Sequence, residues 1–285
     1  MLSALFTRGA PWVLLATLAG CDEDLRSDIV ETDSASTDGS EESGLPEVDY
    51  PAEASADPQA VYDCNFTEDF EGPTGSPWPE PWVSVGENAA ADLRSGWGRL
   101  RPDSADYALA RMVAPLDCQD IDATVTVYLI DGGSQAAALY GRQNGGYLHK
   151  TQPAGRGYAV SAENFREPSG LGLWRELGGT EQDLTPVTTT EVKPETLYRM
   201  RLRIKQQDAE QTLVQGKIWE LADPEPETWT VEYIDDHPGL RKRSGSIALD
   251  AYSSLAPGID AYDVYFDDLV VTQAVDPPPD DLVSK

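Results

Sequence analysis

Across most of this chain, hydrophobic residues recur at every second position, the period of a strand with one buried face. Residues 123–130 read as one strand, closed by Asp131-Gly132-Gly133, and residues 135–142 as a second. Asn144-Gly145-Gly146 then signals a hairpin turn, so residues 147–151 and 157–162 are expected to form the next pair. Residues 170–177 follow and stop at Gly178-Gly179. The clearest alternation runs from Tyr198 to Lys205. Tyr198, Met200, Leu202 and Ile204 share one face, while Arg199, Arg201, Arg203 and Lys205 share the other. Residues 213–221, 228–234, 245–252 and 262–272 complete the series. No stretch combines helical spacing with helix caps. Many strands punctuated by Gly and Pro predict an all-β fold, an antiparallel two-sheet jelly-roll sandwich over residues 61–275.

The first sixty residues break this pattern. Arg8 precedes the apolar run from Pro11 to Ala19, which is shorter than the roughly 20 residues of a membrane-spanning helix. The run fits the hydrophobic region of a secretion signal over residues 1–20, followed by small residues suited to cleavage. Leu18-Ala19-Gly20-Cys21 resembles the lipobox of bacterial lipoproteins. That resemblance implies a diacylglyceryl group on Cys21, cleavage before it, and further acylation with chains such as palmitate. More than one chain is needed for firm membrane attachment. An ordinary secretion signal with a chance cysteine is the alternative. The location expected from the resemblance is the cell envelope, with the protein lipid-anchored at the outer membrane or cell surface of a Gram-negative bacterium. The membrane itself, and which side of it the protein faces, are left open.

Residues 21–60 are rich in Asp, Glu, Ser, Thr, Ala and Pro, and past Cys21 they hold one basic residue, Arg26. Such a composition buries too little apolar surface to offset chain entropy, so it predicts a disordered acidic tether. About 40 flexible residues span on the order of 35 Å, and like charges extend them further. An acidic binding tail for a basic partner is the other reading. Pro277-Pro278-Pro279 marks a second flexible tail over residues 276–285.

The formal net charge of −29 argues against nucleic acid as a partner, because phosphate binding needs basic patches. With Cys21 assigned to the lipid, Cys64 and Cys118 remain. In an oxidising compartment they are expected to form a disulfide, worth about 4 kcal/mol in the chain-entropy treatment. Neither has a neighbour at zinc-ligand spacing.

The order of features between Asp63 and Thr272 resembles the concanavalin A-like jelly rolls, the laminin-G-like and carbohydrate-binding modules of secreted bacterial proteins. The features are Asp69-Phe70-Glu71-Gly72, Trp78-Pro79, Trp82, Arg142 and Tyr147 around a hairpin, the Tyr198–Ile204 strand, Lys217-Ile218-Trp219, Pro226 with Trp229, and a closing Val264–Thr272 strand. The resemblance implies one structural calcium between the first and last strands. Its ligands would be Glu71 and Asp268, with Asp69 and Asp267 close by, since calcium gathers several carboxylate and carbonyl oxygens. Alternatively these acids cap turns and hold no ion.

Aromatic rings beside planar polar groups suit sugars. The candidates are Arg142, Asn144, Tyr147, Tyr158, Trp174, Arg175, Arg199, Arg201 and Arg203. The arginine row would favour carboxylated polymers, although such a row is also the ordinary solvated face of an outer strand. Hydrolase signatures are lacking. Glu181-Gln182-Asp183 begins the Glu-x-Asp-x-x-Glu pattern of family 16-like glucanases, but Pro186 stands where its second Glu belongs. No Gly-x-Ser-x-Gly elbow accompanies His149 or His237. The leading expectation is a non-catalytic, membrane-anchored lipoprotein that binds glycan or another extracellular polymer. The alternatives are a structural or protein-interaction domain of the laminin-G-like kind and a glycan-active hydrolase.

Overall fold

In the computed structural model the described residues are 64–103, 108–188 and 190–275. The expected signal, Cys21, the acidic tether and the C-terminal tail lie outside them. The described residues form fifteen strands and one 3-10 turn, Pro238–Leu240. The first five strands are β1 (Phe66–Glu68), β2 (Val83–Ser84), β3 (Asn88–Leu93), β4 (Gly98–Pro102) and β5 (Leu109–Cys118). Next come β6 (Ile121–Leu129), β7 (Gln135–Gln143), β8 (Gly157–Glu163), β9 (Gly170–Leu177) and β10 (Thr180–Asp183). The last are β11 (Leu197–Gln206), β12 (Thr212–Glu220), β13 (Val231–Asp235), β14 (Gly245–Ser253) and β15 (Val264–Gln273).

They build two antiparallel sheets. The eight-stranded sheet runs β13-β12-β11-β6-β15-β4-β3, with β1 added beside β15. The seven-stranded sheet runs β10-β9-β8-β7-β14-β5-β2. This is the antiparallel two-sheet jelly-roll sandwich that the alternation predicts. Tyr198, Met200, Leu202 and Ile204 face the shared core from β11, and Leu139, Val160, Leu173 and Leu249 meet them from the other sheet. Near the opening of the fold, Phe70 stacks edge-on against Trp78 at 4.8 Å, and Trp78 meets Trp82 at 5.0 Å. Cys64 and Cys118 are disulfide-bonded and join the start of the described chain to the end of β5.

One expected strand is absent. Residues 147–151 form turns instead, and β7 pairs directly with β8. Their polar groups are claimed from elsewhere. Arg111 donates to the Gly146 carbonyl at 3.2 Å, and Glu176 accepts from the Leu148 amide at 2.9 Å. The Tyr147 hydroxyl donates to the Leu109 carbonyl at 2.7 Å. With these partners the segment needs no strand ladder to satisfy its backbone.

Gly216 of β12 is closely surrounded by side chains of both sheets. A Cβ there would lie 2.6 Å from Val160 Cγ2, 3.0 Å from Val231 Cγ2 and 3.2 Å from Leu173 Cδ2. Crowding from three sides leaves no direction in which to relax. Gly216→Ala is therefore expected to destabilise the fold by about 1–3 kcal/mol, the usual cost of an overpacked core. Thermal unfolding checks this, with Tm falling about 2–4 °C for each kcal/mol in a domain of this size.

Candidate functional site

The seven-stranded sheet has a second, smaller apolar cluster on the face turned away from the core: Val113, Ala138, Tyr140, Ala159 and Ala248, with Val85 and Trp174 against it. Strand register explains the grouping. Val113, Ala248, Tyr140, Ala159 and Trp174 are successive cross-strand neighbours from β5 to β9, so their side chains share one face. The adjacent row on that face runs Arg111, Asp250, Ala138, Ser161 and Gly172. Small residues through the middle of both rows leave a depression.

That depression is a cavity of about 160 Å³. Ala136, Ala138, Ala159 and Ser161 form its buried floor. Around the rim stand the half-buried Phe165, Arg166, Trp174, Glu181 and Tyr252. Phe165 and Tyr252 pack with ring centroids 5.0 Å apart. Glu163 accepts from Trp174 Nε1 at 2.6 Å and forms an ion pair with Arg166, which fixes both the indole and the carboxylate. Arg166 also lies 5.1 Å from the Trp174 ring centre, within cation–π range.

Beneath the rim sits a buried charged group. Arg111 is fully buried and grips Asp250 with two nitrogens, Nε to Oδ1 at 2.9 Å and Nη2 to Oδ2 at 2.7 Å. Its Nη1 reaches Glu176 at 2.7 Å. The guanidinium also covers the Tyr140 ring at 4.4 Å, and the Tyr140 hydroxyl donates to Glu181 at 2.7 Å. Two carboxylates share one cation here. Burial pushes Asp250 up to about 6, with Arg111 pulling it back, and burial likewise raises Glu176. Burial also raises Glu163, opposed by Trp174 and Arg166.

No protein-family model and no curated protein matches the chain. Among solved structures it is similar to the carbohydrate-binding module CBM66 from Bacillus subtilis. Identity there is 14%, over 67% of this chain and 95% of that one, with a TM-score of 0.46. It is also similar to a Bacillus licheniformis β-glucanase, at 10% identity over 74% of this chain and 98% of that one, TM-score 0.48. A Bacillus subtilis protein with a galectin-like fold is 18% identical over 70% of this chain and 91% of that one, TM-score 0.47. No function transfers at these identities.

Of the ligand-contact candidates named from sequence, only Trp174 lines this cavity, and Glu181 of the incomplete glucanase pattern stands on its rim. Arg142, Tyr147 and Tyr158 are buried and commit their polar atoms inside the protein, which corrects the expectation of a ligand-facing surface there. Arg142 donates to the Gln119 and Leu240 carbonyls at 2.7 and 2.9 Å, and the Tyr158 hydroxyl to Asp235 at 2.6 Å. Asn144 closes its own loop, donating to the Ala154 carbonyl at 2.8 Å. Arg175 is ion-paired with Asp235 at 2.6 Å.

The arginine row lies on the other sheet. Arg199 donates to Thr126 at 2.8 Å, Arg201 forms a two-pronged pair with Asp122, and Arg203 donates to the Val275 carbonyl at 2.8 Å. Trp174 and this row therefore cannot act on one ligand unit.

The calcium expectation names Glu71 and Asp268, with Asp69 and Asp267 close by. Burial pushes Asp267 up to about 6, with Asp268, Glu71 and Asp69 adding to it. Each pair also caps its own turn: the Asp268 amide donates to Asp267 at 2.7 Å and the Glu71 amide to Asp69 at 3.2 Å. Among the described residues no three His, Cys, Asp or Glu side chains meet as a metal-holding group.

A carboxyl whose folded pKa exceeds its unfolded value stabilises the fold most when protonated, and loses that contribution as pH rises toward the folded pKa. For Asp250 the window runs from 3.8 to about 6. Asp250→Asn removes this titration, so the Tm difference between the two proteins is expected to shift in favour of the variant as pH rises from about 4 to about 6. Melting curves of both proteins across that range check it.

Proposed function

We propose that the outer face of the seven-stranded sheet binds one sugar unit of a glycan and does no chemistry on it. The cavity carries this reading. It has a floor of small residues, and its rim carries the Trp174, Phe165 and Tyr252 rings together with carboxylates and the Arg166 guanidinium. Sugar recognition calls for this combination, with apolar area for ring carbons and a few fixed polar groups for hydroxyls. Its volume of about 160 Å³ is well below the roughly 300 Å³ of the smallest drug-sized pockets, which suits a single ring. The non-catalytic part rests on the state of the carboxylates. Glu163 is tied to Arg166 and Trp174, Asp250 to Arg111, and Glu181 accepts the Tyr140 hydroxyl. Hydrolysis of a glycoside asks instead for two carboxylates poised at the bond.

We further propose that Cys21 carries the lipid that holds the protein at the cell envelope, on the strength of Leu18-Ala19-Gly20-Cys21 behind an apolar run. The acidic segment after it then sets the distance between membrane and groove.

A glycan array with the purified protein tests the first proposal. Trp174→Ala should weaken binding to any glycan retained by about tenfold or more, equivalent to ~1.4 kcal/mol. Arg203→Ala, on the other sheet, should leave it intact. The reverse result moves the site to the eight-stranded sheet. For the anchor, Cys21→Ser should shift the protein from the membrane to the soluble fraction of its native host, measured by detergent-phase partitioning.

A further inference from the structure

We propose that Asn65 is an attachment site for an oligosaccharide, joined to its side-chain amide nitrogen during export. The inference goes beyond the groove and rests on one part of the reading above, that the chain leaves the cytoplasm. Asn65-Phe66-Thr67 has the Asn-x-Thr spacing of N-glycosylation acceptors, with no proline between. Asp63 adds an acid two residues before the acceptor, as in the longer bacterial form of the motif.

The structure singles out the same residue. The sequence has four asparagines. Three of them hold the fold together. Asn88 donates to Ser84 at 2.8 Å and accepts from the Arg111 amide at 2.9 Å. Asn144 donates to the Ala154 carbonyl at 2.8 Å, and Asn164 accepts from the Gln135 amide at 2.7 Å. None of these three has Ser or Thr two residues on. Asn65 is exposed, and its carboxamide has no hydrogen-bond partner among the described residues.

The strand that follows sets the presentation. Asn65 stands one residue before β1, whose ladder with β15 begins with Phe66 opposite Val271. Phe66 packs against the core and lies 6.1 Å from the Trp82 ring. Thr67 therefore turns the other way, and both Asn65 and Thr67 are exposed. A glycan on Asn65 displaces no contact, so the folded domain accommodates the product, as a bulky, solubilising surface group requires. β1 belongs to the eight-stranded sheet, whereas the groove lies on the outer face of the other.

The donor is an oligosaccharide carried on a polyprenyl diphosphate, and a transferase of the exporting membrane performs the step. Asn65 Nδ2 bonds to the anomeric carbon as the bond from that carbon to the diphosphate oxygen breaks. The lipid diphosphate leaves with the electron pair, and the amide gives up one proton. This chain supplies the acceptor alone.

Peptide mapping by mass spectrometry, on the full-length protein from its native host, tests this. The peptide holding Asn65 is expected to carry an oligosaccharide mass. Asn65→Gln and Thr67→Ala should each lose it completely, and Thr67→Ser should keep it, which a purely structural role for Thr67 would not produce. Asn65→Gln should also leave glycan binding through Trp174 unchanged. An unmodified Asn65 in protein that has lost residues 1–20 overturns the inference and leaves the envelope reading standing. An unmodified Asn65 in protein that retains them sinks the export reading as well.

Discussion

The outer face of the seven-stranded sheet depends on one buried guanidinium. Arg111 joins β5 to β14 through Asp250, to β9 through Glu176, and to the loop after β7 through the Gly146 carbonyl. It supports the Tyr140 ring, and Tyr140 in turn holds Glu181 at the rim. A buried ion pair is a weak source of net stability, because removing both charges from water offsets much of their attraction. Its effect here is geometric. Strands that are not neighbours in the sheet are tied together, and the loop after β7 is held on the same cluster. Loss of one partner leaves an unmatched buried charge, which is far more costly than loss of the pair.

On this platform the groove is made by subtraction. Ala136, Ala138, Ala159, Ser161 and Gly172 occupy positions where larger side chains would fill the depression. A Cβ on Gly172 would already lie 3.4 Å from Glu163 and 3.5 Å from the Trp174 indole nitrogen. The rim is then fixed by contacts among its own members, Trp174 to Glu163, Glu163 to Arg166, and Phe165 to Tyr252. A site whose walls hold one another is ready before a ligand arrives, so less ordering accompanies binding.

Much of the sandwich is legible in the sequence because its signal is local. The alternation of β11 assigns its core face residue by residue, and β6 through β9 announce themselves by Gly-rich stops. The opening strands β1 to β5 are short or interrupted by Pro and Trp, so their pattern is faint. The groove is hard to read for a different reason. Arg111 and Asp250 are 139 positions apart, and Arg111 and Glu176 are 65 apart. Only strand order brings them together. One trace was available: Arg111 and Asp250 each interrupt an otherwise apolar strand, and a lone charge in such a run calls for an opposite partner. Conversely, Arg142, Tyr147 and Tyr158 look like contact residues by type, yet serve as internal braces.

The Cys64–Cys118 bond has a mechanical meaning. Tension arriving at Cys64 passes covalently to the end of β5, the strand that carries Arg111, and bypasses the intervening chain. β1, which pairs with β15 over only a few residues, is spared from being peeled away. Force entering at that end of the sandwich is therefore delivered to β5, a ten-residue strand paired from end to end with β14, rather than to the three residues of β1.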